Sequence, residues 1–115
     1  MSEPIEDLAA KLGFAVHSRH GMHLVAPQHC SKIVDACRAG EVLIVGIEAF
    51  RLLDGSIVPV MDLIADCSSV AFLEWNTACT AAAAAAEKYF AHAALQSDLW
   101  FEFTLIPEDG TSRSD

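Results

Sequence analysis

An α+β fold is predicted: a ferredoxin-like βαββαβ sheet with helices on one face, preceded by a short N-terminal helix. Three observations predict it. Val42-Leu43-Ile44-Val45 is an unbroken apolar run rich in β-branched residues, too short for a helix and suited to a strand covered on both faces. Asp54-Gly55 behind it signals a tight type I′ hairpin turn, with Ser56 to Val60 returning alongside. Leu99 to Leu105 alternates strictly, with Phe101, Phe103 and Leu105 on one side and Trp100, Glu102 and Thr104 on the other.

At 115 residues the chain is read as one domain over 1–106 with a polar tail over 107–115 that is expected to be disordered. An apolar fraction of 53% is enough to fill a core without staples. The first helix starts near Ser2 or Glu3 with Pro4 in its first turn; Ile5, Leu8, Ala9 and Leu12 form its apolar stripe and Gly13 ends it. Phe14-Ala15-Val16 and Met22 to Val25 read as two short strands, paired through a turn at Arg19-His20-Gly21. Pro27 opens the next helix, Cys30, Ile33, Val34 and Cys37 share its buried face, and Gly40 stops it. Past Pro59, the segment MDLIADCSSV fits either a continued edge strand or one helical turn. Ser68 or Ser69 is the expected cap of the longest helix, Val70 to Leu95. Its stripe is Trp75, Cys79, Ala82, Ala86, Phe90 and Ala93, and the alanine run Ala81 to Ala86 favours close packing on a sheet.

Charge narrows the function. Sixteen acidic residues against 7 basic ones leave a net charge of -9. Polyanions such as nucleic acid and anionic lipid are poor partners for such a body, and a basic protein is a good one. The charge is also segregated. From Ala39 to Ala86 there are six acids, Glu41, Glu48, Asp54, Asp62, Asp66 and Glu74, against Arg51 alone. From Leu12 to Arg38 the balance reverses, with Arg19, Lys32 and Arg38 against Asp35, plus four histidines.

No reaction is written in the motifs. CxxC, HExxH and GxSxG are absent, and no glycine-rich phosphate loop is present. His17, His20 and His23 are spaced by three, which on a single strand points them to opposite faces. No catalytic residue, metal ligand or cofactor is therefore assigned. The opening MSEPIEDL carries acids where a secretory leader needs a basic patch and an apolar run, so the cysteines at 30, 37, 67 and 79 are expected as reduced, buried thiols in a cytoplasmic protein. Leu73 to Leu95 holds Glu74, Asn76, Glu87, Lys88 and His92, too polar to span a bilayer.

GIEAF, then DG, then DLIAD, then Trp75, then LWFEF is an order that resembles small bacterial immunity proteins, which neutralise polymorphic toxins; the likeness runs from Val42 to Leu105. It implies a cytoplasmic protein that binds and blocks a cognate toxin domain, basic where the toxin is a nuclease. On the residues themselves, the partner-binding surface is expected to comprise Glu48, Asp62, Asp66, Glu74, Trp100 and Glu102, with Trp100 and Glu102 on an open sheet face unless the N-terminal helix covers Trp100. Two alternatives stand beside it: a small-molecule or metal-binding domain using His20, His23 and Cys30, and a homodimer joined through the open sheet face.

Overall fold

A computed structural model describes residues 3–96 and 98–107. The expected tail therefore lies outside the described residues except for Pro107, as do Ser2 and Ser97. Helix α1 (Pro4–Leu12) begins at Glu3, whose backbone N–H donates to Glu6 Oε1 at 3.4 Å, and ends where Gly13 turns left-handed at φ 84°. Only glycine takes that conformation without strain. Ile5, Leu8 and Ala9 are its buried face, as the stripe predicts.

Strands β1 (His17–Arg19) and β2 (Met22–Leu24) form the expected hairpin. Its turn is His20-Gly21, both residues at positive φ, as a type I′ turn requires. The first strand lies later than the predicted Phe14-Ala15-Val16. Phe14 is instead buried, with its ring stacked 4.7 Å from that of His29 on helix α2 (Pro27–Arg38). The end of α2 is a Schellman cap: Glu41 N–H bonds the Ala36 carbonyl, Gly40 N–H bonds that of Cys37, and Gly40 sits at φ 83°.

Strand β3 (Val42–Leu53) follows, and Asp54-Gly55, again both at positive φ, turns the chain into β4 (Ser56–Asp66). The ambiguous segment after Pro59 thus continues as strand through Asp66. Between the Phe50–Pro59 and Glu48–Ile64 pairs the register breaks, and Val60 to Leu63 bulge opposite Ala49. A 3₁₀ turn (Ser68–Phe72) leads to helix α3 (Trp75–Ala93), which starts later than predicted. Ser68 caps nothing there: its N–H and hydroxyl both donate to Asp66. The cap of α3 is Glu74, whose carboxylate accepts the Asn76 and Thr77 N–H groups at 3.1 and 3.0 Å. Strand β5 (Trp100–Pro107) closes the fold.

Among the described residues the result is α+β, with three α-helices and two antiparallel sheets. The finer ferredoxin-like layout expects a single sheet that includes the strand before α2. Here the main sheet runs β4-β3-β5 and the β1–β2 hairpin is separate. The turn at His20-Gly21 explains the difference. It divides the segment before α2 into strands of three residues each, and among the described residues of that segment backbone pairing to the main sheet is made by Val25, through a bridge to Phe101 with bonds of 2.7 and 3.0 Å.

The register sorts the residues of the main sheet into two faces. Ile44, Ile47 and Ala49 lie beside Leu105, Phe103 and Phe101, and all six are buried under α2 and α3. Of the predicted α3 stripe, Cys79, Ala82, Ala86 and Ala93 are buried and Trp75 and Phe90 half-buried; Ala78 and Ala83 are buried as well, and these small side chains bring the helix onto β3. Burying such a layer drives folding at roughly 25 cal/mol per Å² of apolar surface.

Candidate binding surface

The opposite sheet face carries most of the residues singled out by charge. Gly46, Glu48 and Phe50 of β3 lie beside Thr104, Glu102 and Trp100 of β5, and beside Asp66, Ile64 and Pro59 of β4. Glu48, Asp66, Trp100 and Glu102 therefore share one face. Asp62 stands apart, exposed in the β4 bulge, and Glu74 stands at the start of α3.

This face is not bare at the Trp100 end. His17 of β1 lies 5.2 Å from the Trp100 ring, centroid to centroid, so the hairpin lies over it. Phe50 and Leu24 are both buried, yet neither belongs to the main core cluster. Strand alternation explains why: Val25 pairs with Phe101 on the helix side, which turns Leu24 the other way. The exposed part of the face is thus its middle and far end, around Glu48, Ile64 and Asp66.

The electrostatics of Glu102, Asp66 and Glu74 differ. Burial holds the Glu102 carboxyl above its usual range. The backbone of His23 pulls it partly back and the Glu48 charge pushes it further up. Asp66 and Glu74 are held below theirs, Asp66 by the Ser68 hydroxyl and N–H, Glu74 by the helix N–H groups it caps and by the Thr77 hydroxyl. Both are fully exposed and keep their negative charge outward while doing local structural work.

Sequence reasoning missed the apolar part of this surface. Among the described residues the exposed large hydrophobics are Leu53, Val58, Met61, Ile64, Phe72, Leu73 and Leu95, and six of these seven fall between 53 and 73. Met61 is 70% and Phe72 92% exposed. The available signal was composition: no Lys, Arg or His occurs between Arg51 and Lys88, so this stretch has apolar side chains and acids with no cation among them.

The residues of the metal alternative are not brought together. His20 is exposed at its turn, His23 pairs with Glu6 at 3.3 Å beside the α1–β5 cleft, and Cys30 is buried on α2. Among the described residues no three His, Cys, Asp or Glu side chains form a group able to hold a metal ion. Cys30 contributes to a groove of about 590 Å³ between α2 and α3, floored by Val34, Phe90, Leu99 and Phe101 and edged by Asp35, Glu87 and Asp98. No histidine and none of the six candidate residues line it. Burial pushes the Cys30 thiol up to about 12, which keeps it protonated and a poor nucleophile. Among the described residues no helix is long and apolar enough to cross a membrane. Compared with protein-family models, with curated proteins and with solved structures, the chain has no match.

Proposed function

We propose that this chain is a non-enzymatic protein-binding module that covers a basic partner, in the manner of the immunity proteins its sequence resembles. The observation that carries this reading is the direct pairing of Glu48 with Glu102 on the sheet face that also holds Asp66 and Ile64. Two carboxylates held opposite each other repel, and a fold that keeps them so gains when a cation arrives between them. A basic partner supplies that cation, and the net charge of -9 speeds its approach. A partner of this kind, met in the cytoplasm, suits an inhibitor that works by occlusion.

The test is co-expression. A toxin-like reading frame beside the gene is expressed with and without this chain, and growth is followed. Protection by the wild-type chain, lost in the charge-reversed Glu48→Lys/Glu102→Lys variant with an unchanged circular dichroism spectrum, supports the reading. Absence of protection by the wild-type chain counts against it.

A further inference from the structure

We infer that the anchor of this interaction is the apolar side-chain set Met61, Ile64, Phe72 and Leu73, and that it fits an apolar surface ringed by cations on another protein. The inference rests on the proposed protein-binding role and adds to it the place and chemistry of contact.

The strand order puts β4 at the edge of the main sheet, with nothing paired to its outer side among the described residues. The far edge of β5 differs: Val25 bridges to it and α1 packs along it. Single exposed apolar side chains are ordinary on a protein surface, but here six of the seven large ones among the described residues fall between 53 and 73. Here that segment runs up the free edge and round the 3₁₀ turn into α3. Ile64 also continues the set onto the sheet face, directly beside Glu48.

Asp62, Asp66 and Glu74 are interleaved with these residues, all exposed, in the stretch that has no basic residue. That composition selects the occupant. A second copy would set carboxylates against carboxylates on bodies of net charge -9. A partner with apolar side chains flanked by Arg or Lys buries the first and pairs the second. Main-chain pairing along β4 contributes little at its centre, because Pro59 offers no N–H and the bulge from Val60 to Leu63 turns the edge aside. Recognition is therefore by side chains, with Phe72 and Met61 as anchors of the kind that dominate interfaces.

The test uses the full chain and three short synthetic peptides, alternating Leu with Arg, Leu with Glu, and Ser with Arg, followed by backbone amide NMR shifts. The Leu–Arg peptide should shift residues 61–64 and 72–74 and bind about tenfold tighter than either control, and Met61→Ser/Phe72→Ser should remove that advantage. Equal binding of the Leu–Glu peptide, or shifts centred on the α2–α3 groove, would overturn the inference. So would a dimer in sedimentation that the same double variant abolishes, since the occupant would then be a second copy. The co-expression assay separates this inference from the reading beneath it. Protection that persists in Met61→Ser/Phe72→Ser removes the anchor and leaves the immunity role. Failed protection with the peptide result intact removes the role and leaves the anchor.

Discussion

Glu48 on β3 and Glu102 on β5 are register partners, two carboxylates facing each other across the centre of the main sheet. The Glu102 carboxyl titrates above its usual range, first through burial and then through Glu48. A carboxyl raised in the folded state costs stability only once it ionises. Below the ordinary glutamate range the penalty is absent, and it becomes complete as pH rises through the raised folded value. Glu102→Gln should therefore stabilise the protein at neutral pH by about 0.5 kcal/mol, a modest figure because the site is partly exposed and screened. The gain should disappear on acidification below the glutamate range. Urea unfolding of wild type and variant at both pH values checks this.

Glu74 carries the opposite sign. Its carboxylate accepts two backbone N–H groups at the start of α3, and its folded pKa is lowered by them. The stability it contributes is fully present above the ordinary glutamate value and is lost as pH falls through the lowered folded value. Glu74→Ala should lower the melting temperature at neutral pH, and the difference from wild type should shrink as the solution is acidified. Thermal melts across that range by circular dichroism measure it.

Trp75 and Gly40 fasten the end of α2 to the start of α3. The indole N–H donates to the Gly40 carbonyl at 2.8 Å, and Gly40 holds φ 83°. A Cβ at residue 40 would sit 3.2 Å from Asn76 Oδ1. Gly40→Ala should cost roughly 1–2 kcal/mol, from backbone strain and this close approach together. Trp75→Phe should cost about 1 kcal/mol for the lost bond. Because both changes act on one contact, their effects should fall short of additive in a double-mutant cycle.

All four cysteines are buried thiols. Cys37 Sγ contacts the Cys79 carbonyl at 3.4 Å, and Cys79 Sγ the Val42 carbonyl at 3.6 Å, so these thiols are packing groups of the α2–α3–β3 core. Burial raises the Cys30, Cys37 and Cys67 thiols. A thiol-specific reagent should react slowly with the native protein near neutral pH and rapidly with all four cysteines in denaturant. A fast-reacting thiol in the native state would contradict this packing.

What the sequence made legible was local. The type I′ turn at Asp54-Gly55, the turn at His20-Gly21, the core run of β3, the alternation of β5 and most of the small-residue stripe of α3 are each written within a few residues, and the structure repeats them. What it hid depends on distant parts of the chain. The bulge at Val60 to Leu63 breaks the period-two pattern that would have identified β4 as strand. The sequence offers Ser68 or Ser69 as the cap of α3, but the Glu74 carboxylate fills it, and Ser68 belongs to the Asp66 turn. The acids of the candidate surface could be named from charge segregation alone. Met61 and Phe72 could not be named as exposed, because exposure follows from β4 lying at the sheet edge, and strand order is not visible in the sequence.

The association rate of the purified chain with a basic toxin domain encoded beside its gene, once such a frame is identified, measured by stopped flow as a function of salt, tests the central claim most directly. Contact between an acidic surface and a basic partner predicts a stable complex whose association rate falls by about tenfold or more from low to high ionic strength. A rate that does not respond to salt, or no complex at all, would contradict it.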